Sequence, residues 1–197
     1  MELIAHKNKQ TFLFCFLGGW LLVTNVVADS SASFGDWSAV SLYHRISRYG
    51  DNRIRITKTA MKNLRTHLNF TQLRFHCSKQ RGRTFHVTTV LNSTGEAVVQ
   101  YFSGQTNVLP ASCGSFQRMS DDNSQLSVTC DQWGNDGSHY VGKWGHYKNN
   151  PEHVLHNHAA FVASKNHWVI TRNHQLCDDK KTRSTLSPGD FWKVYVR

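Results

Sequence analysis

The stretch LRFHCSKQRGRTFHVTTVL, Leu73–Leu91, decides the fold of this chain. Apolar and polar residues alternate from Leu73 to Cys77, and the alternation resumes from Phe85 to Leu91 after a polar turn over residues 78–82. Successive side chains of a strand point to opposite faces of a sheet. The pattern therefore predicts a β-hairpin that buries one face.

A helix is predicted just before this hairpin, over Thr57–Leu68. Its apolar residues Ala60, Met61 and Leu64 recur at helical spacing, and Thr57 suits the N-cap position. After the hairpin, a turn is predicted at Asn92–Gly95, with a strand returning over Ala97–Phe102.

Shorter apolar runs predict further strands, and a segment rich in Gly and Asn predicts ordered loops over Trp133–Pro151. The fold class is therefore α+β and β-dominated: a single domain with a mainly antiparallel sheet or sandwich and one clear helix. The further predicted strands are short strands within Trp37–Ile56, then Gln125–Thr129, Ala160–Ser164, Trp168–Thr171 and Phe191–Val196.

Residues 1–28 have the layout of a secretory signal peptide. The basic residues His6, Lys7 and Lys9 precede an apolar run, Phe12–Val27. Small residues end the segment at Ala28. The run is about 16 residues long, shorter than the roughly 20 that a membrane-spanning helix needs. We therefore predict a signal peptide over 1–28 and one secreted globular domain over 29–197; an uncleaved N-terminal anchor is the alternative.

Four cysteines remain once Cys15 leaves with the signal peptide, which in a secreted chain indicates two disulfides. Four cysteines allow three pairings, and the sequence does not choose among them. We favour Cys113–Cys130 as a short clasp and Cys77–Cys177 as a tie to the C-terminal region. A zinc–thiolate site is disfavoured because the chain has no C-x-x-C pair.

The formal net charge of +10 favours acidic partners. Export disfavours nucleic acid, so we expect sulfated glycans or acidic matrix proteins. The alternative is that the charge serves only solubility. Basic clusters near the hairpin and the C-terminal region supply the candidate ligand-binding residues: Arg74, Lys79, Arg81, Arg83, Lys180 and Lys181.

Aromatic residues between Trp133 and Trp192 are interleaved with Gly, Asn, Asp and His, and Trp144 is the candidate for ligand contact. Carbohydrate and protein interfaces both use exposed aromatic rings. The alternative is that these tryptophans fill the core.

Two clusters are candidate metal ligands, although no cofactor is expected. His153, His156 and His158 suit zinc, and Asp121 with Asp122 suits calcium. Neither cluster follows an H-E-x-x-H or EF-hand pattern, and the alternatives are loop histidines and an Asx-type turn. The chain also has no G-x-S-x-G elbow or P-loop, so we predict no catalytic residue and no enzyme.

Two sequons, at Asn69 and Asn92, are predicted N-glycosylation sites. Both lie at predicted element boundaries, where a glycan can project from the surface.

Four stretches of the chain resemble uncharacterised secreted proteins of cnidarians, in particular the skeletal organic matrix proteins of stony corals. The resemblance runs from about Trp37 to the C-terminus and implies secretion and residence in the matrix of a carbonate skeleton. It brings no catalytic residues. The stretches are Val98–Ser124, CDQWGNDG at Cys130–Gly137, GKWGH at Gly142–His146 and SPGDFWKVYVR at Ser187–Arg197.

These observations predict a secreted, disulfide-bonded glycoprotein of the extracellular matrix. No membrane-spanning segment is expected in the chain after the signal peptide is removed. It is expected to bind acidic glycans or acidic matrix proteins through basic clusters and exposed aromatic residues. The matrix setting points to a part in biomineralisation. Two alternatives stay open: a lectin-like module, calcium-dependent or not, and a metal-dependent hydrolase that uses the histidine cluster.

Overall fold

A computed structural model of the chain describes residues 19–31, 39–43, 46, 52–134, 141–145, 156–171, 174–180 and 185–197. Those residues form eight strands and two α-helices. In chain order they are β1 (Leu21–Val27), β2 (Arg53–Ile54), α1 (Lys58–Leu68), β3 (Leu73–Ser78), β4 (Thr84–Thr89), α2 (Ser93–Phe102), β5 (Phe116–Arg118), β6 (His167–Ile170), β7 (Gln175–Asp179) and β8 (Phe191–Val196).

Six strands form one antiparallel sheet in the order β2-β1-β8-β3-β4-β5. The predicted hairpin is confirmed as β3 and β4, and it lies inside the sheet, with β8 on one side and β5 on the other. A second antiparallel pair, β6 and β7, forms a separate small sheet. The described architecture is thus β-dominated α+β, as the alternation of the hairpin predicts.

One face of the six-stranded sheet carries the apolar core. Phe75 of β3 is fully buried, and its ring centroid lies 5.0 Å from that of Phe102 of α2 and 5.6 Å from that of Trp168 of β6. Ala60 and Met61 of α1 are buried in the same core. The helices and the small sheet therefore cover this face, and the other face is left for the polar half of each strand.

Helix α1 confirms the predicted helix and its cap. Thr57 Oγ1 accepts a hydrogen bond from the backbone N–H of Ala60 at 3.2 Å, as an N-cap residue does. The helix ends at Asn69, whose φ of 49° places it in the left-handed region that Asn tolerates at a helix end.

Helix α2 replaces the predicted turn and returning strand, so that prediction was wrong. Asn92 is an N-cap, because its Oδ1 accepts from the backbone N–H groups of Thr94 and Gly95 at 3.1 and 3.0 Å. Val98, Val99 and Phe102 then lie on one face at helical spacing and are buried. A short apolar run is compatible with the period of a strand and with that of a helix. Here the N-cap and the buried face favour the helix.

Two predicted strands near the C-terminal half were also wrong. Gln125–Thr129 forms a 3₁₀ turn at Leu126–Val128, because the Asp178 carboxylate accepts from two backbone N–H groups at its start. Ala160–Ser164 contributes a bridge at Phe161 and then turns. Strand β7, which carries Asp178, was not predicted, and its two consecutive aspartates are unusual in a strand.

Strand β1 occupies residues that the signal-peptide prediction removes. Leu21–Val27 pairs with β8 along its length, and Leu21, Val23 and Val26 are buried in the core. In the structure, the sheet therefore includes residues before position 29, the predicted start of the secreted domain. Cleavage after Ala28 stays a prediction, but it would remove a strand from the interior of the sheet.

Both favoured disulfides are present. Cys77 of β3 bonds to Cys177 of β7 with a sequence separation of 100 and so joins the two sheets. Cys113 bonds to Cys130 with a separation of 17. Disulfides persist in oxidising compartments, which is compatible with secretion. None of the helices in the described ranges is long and apolar enough to span a bilayer.

Candidate functional site

The candidate site lies on the side of the six-stranded sheet that faces away from the apolar core. We call this side the outer face; its central residues come from alternate positions of β8, β3 and β4. The register pairs His76 with Lys193 on one side and with His86 on the other, and pairs Arg74 with Tyr195. Strand alternation thus brings together side chains that lie far apart in the sequence.

Two imidazoles stack at the centre of the outer face. The rings of His76 and His86 are parallel within 4°, with centroids 3.7 Å apart. The ring of Phe191 meets His76 edge-on at 4.8 Å. His76 is half-buried and His86 is buried, so the pair is held between neighbouring side chains rather than projecting into water.

Asp121 completes this group from a turn that follows β5. Its Oδ1 lies 2.6 Å from His86 Nδ1, and its Oδ2 lies 3.7 Å from His76 Nε2. The turn is tied to β4, because the backbone N–H of Met119 donates to the carbonyl of His86 and the backbone N–H of His86 donates to Asp122 Oδ1. The carboxylate is therefore positioned over the imidazole pair by backbone contacts.

Burial of the group acts against protonation of both imidazoles. Burial, followed by the charge of His86, lowers the pKa of His76 to about 4. Burial also lowers the pKa of His86, against the opposing effect of Asp121. Burial works to raise the pKa of Asp121, but its hydrogen bond to His86 prevails and the pKa is lowered.

His86 retains an unused nitrogen. Its Nε2 is buried and, among the residues that the structure describes, has no hydrogen-bond partner. A buried polar atom without a partner is uncommon in proteins and calls for an explanation.

Basic and aromatic side chains surround the histidine pair. The Arg74 guanidinium lies 4.1 Å from the centroid of the Trp20 ring, and that of Arg197 lies 4.7 Å from the same ring. Lys193 Nζ lies 4.8 Å from the centroid of the Phe191 ring. Burial is the main cause that lowers the pKa of both Arg74 and Lys193. The outer face is therefore cationic, with its charges held against aromatic rings.

Of the predicted ligand-binding residues, Arg74 lies on this face, but Lys79 and Arg83 are committed elsewhere. Lys79 Nζ is 2.7 Å from Asp179 Oδ2, and its side chain is 4% exposed. Arg83 pairs with the buried carboxylate of Asp178. These two contacts tie the hairpin to β7, so both cations serve the fold.

The other predicted basic residues lie away from the histidine pair. Arg81 is exposed in the turn between β3 and β4, and Lys180 is exposed at the end of β7. Lys181 lies outside the described residues.

Trp144, the predicted ligand contact, lies in the core and not at the surface. It is fully buried, its Nε1 donates to Ser115 Oγ at 2.8 Å, and its ring packs against Trp133. Trp168 and Trp192 are also fully buried. All four described tryptophans between Trp133 and Trp192 therefore fill the core between the sheets and helices, as the alternative interpretation predicts.

Among the described residues, His156 of the predicted histidine metal cluster lies in the core. That residue is 1% exposed, and its Nδ1 lies 3.0 Å from Thr24 Oγ1, so it is part of the core. His158 is half-buried, and His153 lies outside the described residues. His156 therefore links β1 to the loop before β6.

The two carboxylates of the predicted Asp121–Asp122 calcium pair have different partners. Asp122 is buried and accepts hydrogen bonds from Ser124, Ser127 and Arg118 in addition to the backbone of His86. It closes its own turn, as an Asx-type residue does. Asp121 instead faces the histidine pair.

The two sequons lie at the surface. Asn69, at the end of α1, and Asn92, at the start of α2, are both exposed. N-glycosylation at either site stays a prediction.

Sequence reasoning missed most of the outer face. Alternation in β3 and β4 places His76 and His86 on the polar side of the hairpin, but their adjacency depends on the register across it. Trp20 was assigned to the signal peptide, and Lys193 and Tyr195 come from the last strand, whose partner the sequence does not indicate.

No protein-family model, curated protein or solved structure was found to match the chain.

Burial of His156 predicts a pH-dependent stability. Burial lowers its pKa to about 3, whereas the unfolded value is near 6.5. The unfolded state therefore binds the proton first, and the free energy of unfolding falls as the pH drops below about 6.5. We expect a loss of about 2 kcal/mol between pH 7 and pH 5 from this group.

The measurement compares denaturant unfolding of the wild type and His156→Gln at both pH values. The variant should be less stable at pH 7 and lose about 2 kcal/mol less on acidification. His67→Gln, at an exposed site on α1, is the control and should follow the wild type. An unchanged pH dependence in His156→Gln would show that His156 is not buried in the neutral form.

Proposed function

We propose that this protein is a non-enzymatic, secreted matrix protein that binds acidic glycans or acidic matrix proteins through the outer face. The observation that carries the proposal is the cluster of Arg74, Lys193 and Arg197 around the aromatic rings of that face. Carboxylate and sulfate groups are the natural partners of such a surface.

The arrangement favours a polymer over a small anion. Arg74 and Lys193 come from adjacent strands, and Arg197 follows the end of β8, so the charges spread across the sheet. Trp20 and Phe191 hold the cations against the protein, which reduces the side-chain entropy lost on binding. A repeating polyanion can contact several of these groups at once.

Two further facts support the proposal. The net charge of +10 favours polyanions in general, and the two disulfides suit an oxidising compartment. The matrix setting itself is part of the proposal and comes from the resemblance noted in the sequence. Trp144, the aromatic contact of both the matrix-binding and the lectin-like hypotheses, and His156, one residue of the cluster in the hydrolase hypothesis, are buried in the core. The basic residues of the outer face are therefore what favours the matrix-binding hypothesis.

Charge removal on the outer face is expected to weaken binding to a sulfated polymer. We expect the double variant Arg74→Gln, Lys193→Gln to elute from immobilised heparin at lower salt than the wild type. The slope of log affinity against log salt should fall by about 1 to 2, because each lost ionic contact releases fewer counterions.

The matched control is Lys62→Gln, Lys165→Gln, which removes the same charge from exposed positions on α1 and in the turn before β6. Circular dichroism checks that both variants fold. If both double variants lose affinity equally, binding depends on net charge alone and the outer face is not the site.

A further inference from the structure

We propose that His76, His86 and Asp121 form a binding site for a divalent transition-metal ion, with zinc as the reference ion. One nitrogen of each imidazole and one oxygen of Asp121 all lie within 4.8 Å of one another. The proposal depends on these three side chains and not on polymer binding by the same face.

The distances are close to those of a loaded site. Ligand atoms bound to zinc at about 2.1 Å in tetrahedral geometry lie roughly 3.4 Å apart. The observed separations lie on either side of this value: Asp121 Oδ1 is 2.6 Å from His86 Nδ1, and Asp121 Oδ2 is 3.7 Å from His76 Nε2. Because the two imidazole rings stack in parallel, the half-buried His76 has to turn before both rings point a nitrogen at one ion.

The donor set indicates which ions fit. Two imidazoles and one carboxylate suit zinc, copper, nickel or ferrous iron, whereas calcium and magnesium prefer oxygen ligands alone. Three protein ligands leave one coordination position open. The neighbouring cations Arg74 and Lys193 favour an anion or hydroxide there over a neutral ligand.

The protein holds these ligands ready for a metal. The two histidines lie on paired strands, and the backbone ties of Met119 and Asp122 fix the turn that carries Asp121. The buried, unpartnered Nε2 of His86 is a second sign that the fold does not use this imidazole fully.

The positive surroundings limit the affinity. Arg74 and Lys193 repel a cation, so we expect binding in the micromolar range rather than the much tighter binding of structural zinc sites. The chain has 12 histidines, so weak binding elsewhere is also expected. The test must therefore assign the ion to these residues by substitution and by spectroscopy.

The experiment titrates ZnCl₂ and CoCl₂ into purified full-length protein that has been treated with a chelator and dialysed. We expect one tightest equivalent, with Co²⁺ giving the strong visible absorption of a four- or five-coordinate site. His76→Ala and Asp121→Asn should each weaken that equivalent by tenfold or more. Two variants at exposed positions are the controls and should bind like the wild type: His67→Ala on α1, and Asp131→Asn in the turn that follows Cys130.

Histidine NMR signals give a readout that does not depend on any variant. Zn²⁺ should shift the ring signals of His76 and His86 first during the titration. Wild-type affinity in both His76→Ala and Asp121→Asn, or unshifted signals from these two rings, would overturn the proposal. Failure of heparin binding would leave these results unaffected, so the two proposals are tested separately.

Discussion

A chain that begins at Asp29 is expected to lose the cooperative fold, because it lacks β1. This strand lies between β2 and β8 in the six-stranded sheet. Without it, β2 has no partner strand and β8 becomes an exposed edge. We expect the loss to exceed about 5 kcal/mol, the lower end of the stability of a typical domain.

The size of this effect follows from what β1 buries. Leu21, Val23 and Val26 are buried in the core, and full burial of such a side chain is worth about 1.5–3 kcal/mol. Thr24 Oγ1 also lies 3.0 Å from Nδ1 of the buried His156. Removing the strand therefore exposes apolar surface and leaves a buried imidazole without its partner.

The test compares chains 29–197 and 19–197, each secreted behind the same foreign leader. The longer chain, which keeps β1, is the control and should unfold cooperatively in thermal and denaturant scans. The shorter chain should show no cooperative transition and should expose apolar surface to a dye. Equal midpoints for the two chains would show that β1 is dispensable and would support cleavage after Ala28.

The same comparison bears on secretion. The apolar run Phe12–Val27 predicts a signal peptide, yet its second half forms a buried strand. Sequencing the N-terminus of protein secreted with its own leader would show which role residues 21–27 take in the mature chain. A start at Gly19 or earlier retains β1, whereas a start at Asp29 removes it.

Loss of the Cys77–Cys177 disulfide is expected to cost about 4–5 kcal/mol, the second largest effect. The bond closes a loop with a sequence separation of 100, and in the chain-entropy model the stabilisation grows with loop length. Both cysteines are fully buried, and the bond joins β3 of the large sheet to β7 of the small one. Its loss would also loosen the contact between the two sheets.

The Cys113–Cys130 bond is the internal control, since its separation is 17 and its expected contribution is about 3 kcal/mol. Double alanine variants of each pair are compared by denaturant unfolding in the absence of reductant. The variant lacking Cys77 and Cys177 should be the less stable by about 1–2 kcal/mol. The opposite order would mean that native-state packing, and not chain entropy, sets the stability.

Local sequence was sufficient for part of the fold. The alternation in Leu73–Leu91 predicts the hairpin because a strand with one buried face must alternate. Helix α1 was predicted because its cap and apolar spacing agree. Helix α2 was not, because a short apolar run fits either period when burial is unknown.

The candidate site was predictable only in its parts. Asp121 was identified as a possible metal ligand together with Asp122, but the structure places it beside His76 and His86, and Asp122 closes its own turn. The tryptophans suggested a binding surface. In the structure, the four described tryptophans between Trp133 and Trp192 are all buried in the aromatic core.

What the sequence determined by itself was local: which strands alternate, where α1 begins, the basic charge, and the supply of cysteines for two disulfides. The tertiary structure alone decided that β1 belongs to the domain and that His76, His86 and Asp121 meet. The reason is physical. Alternation and capping depend on near neighbours, whereas strand order and register depend on which distant surfaces bury the most apolar area together.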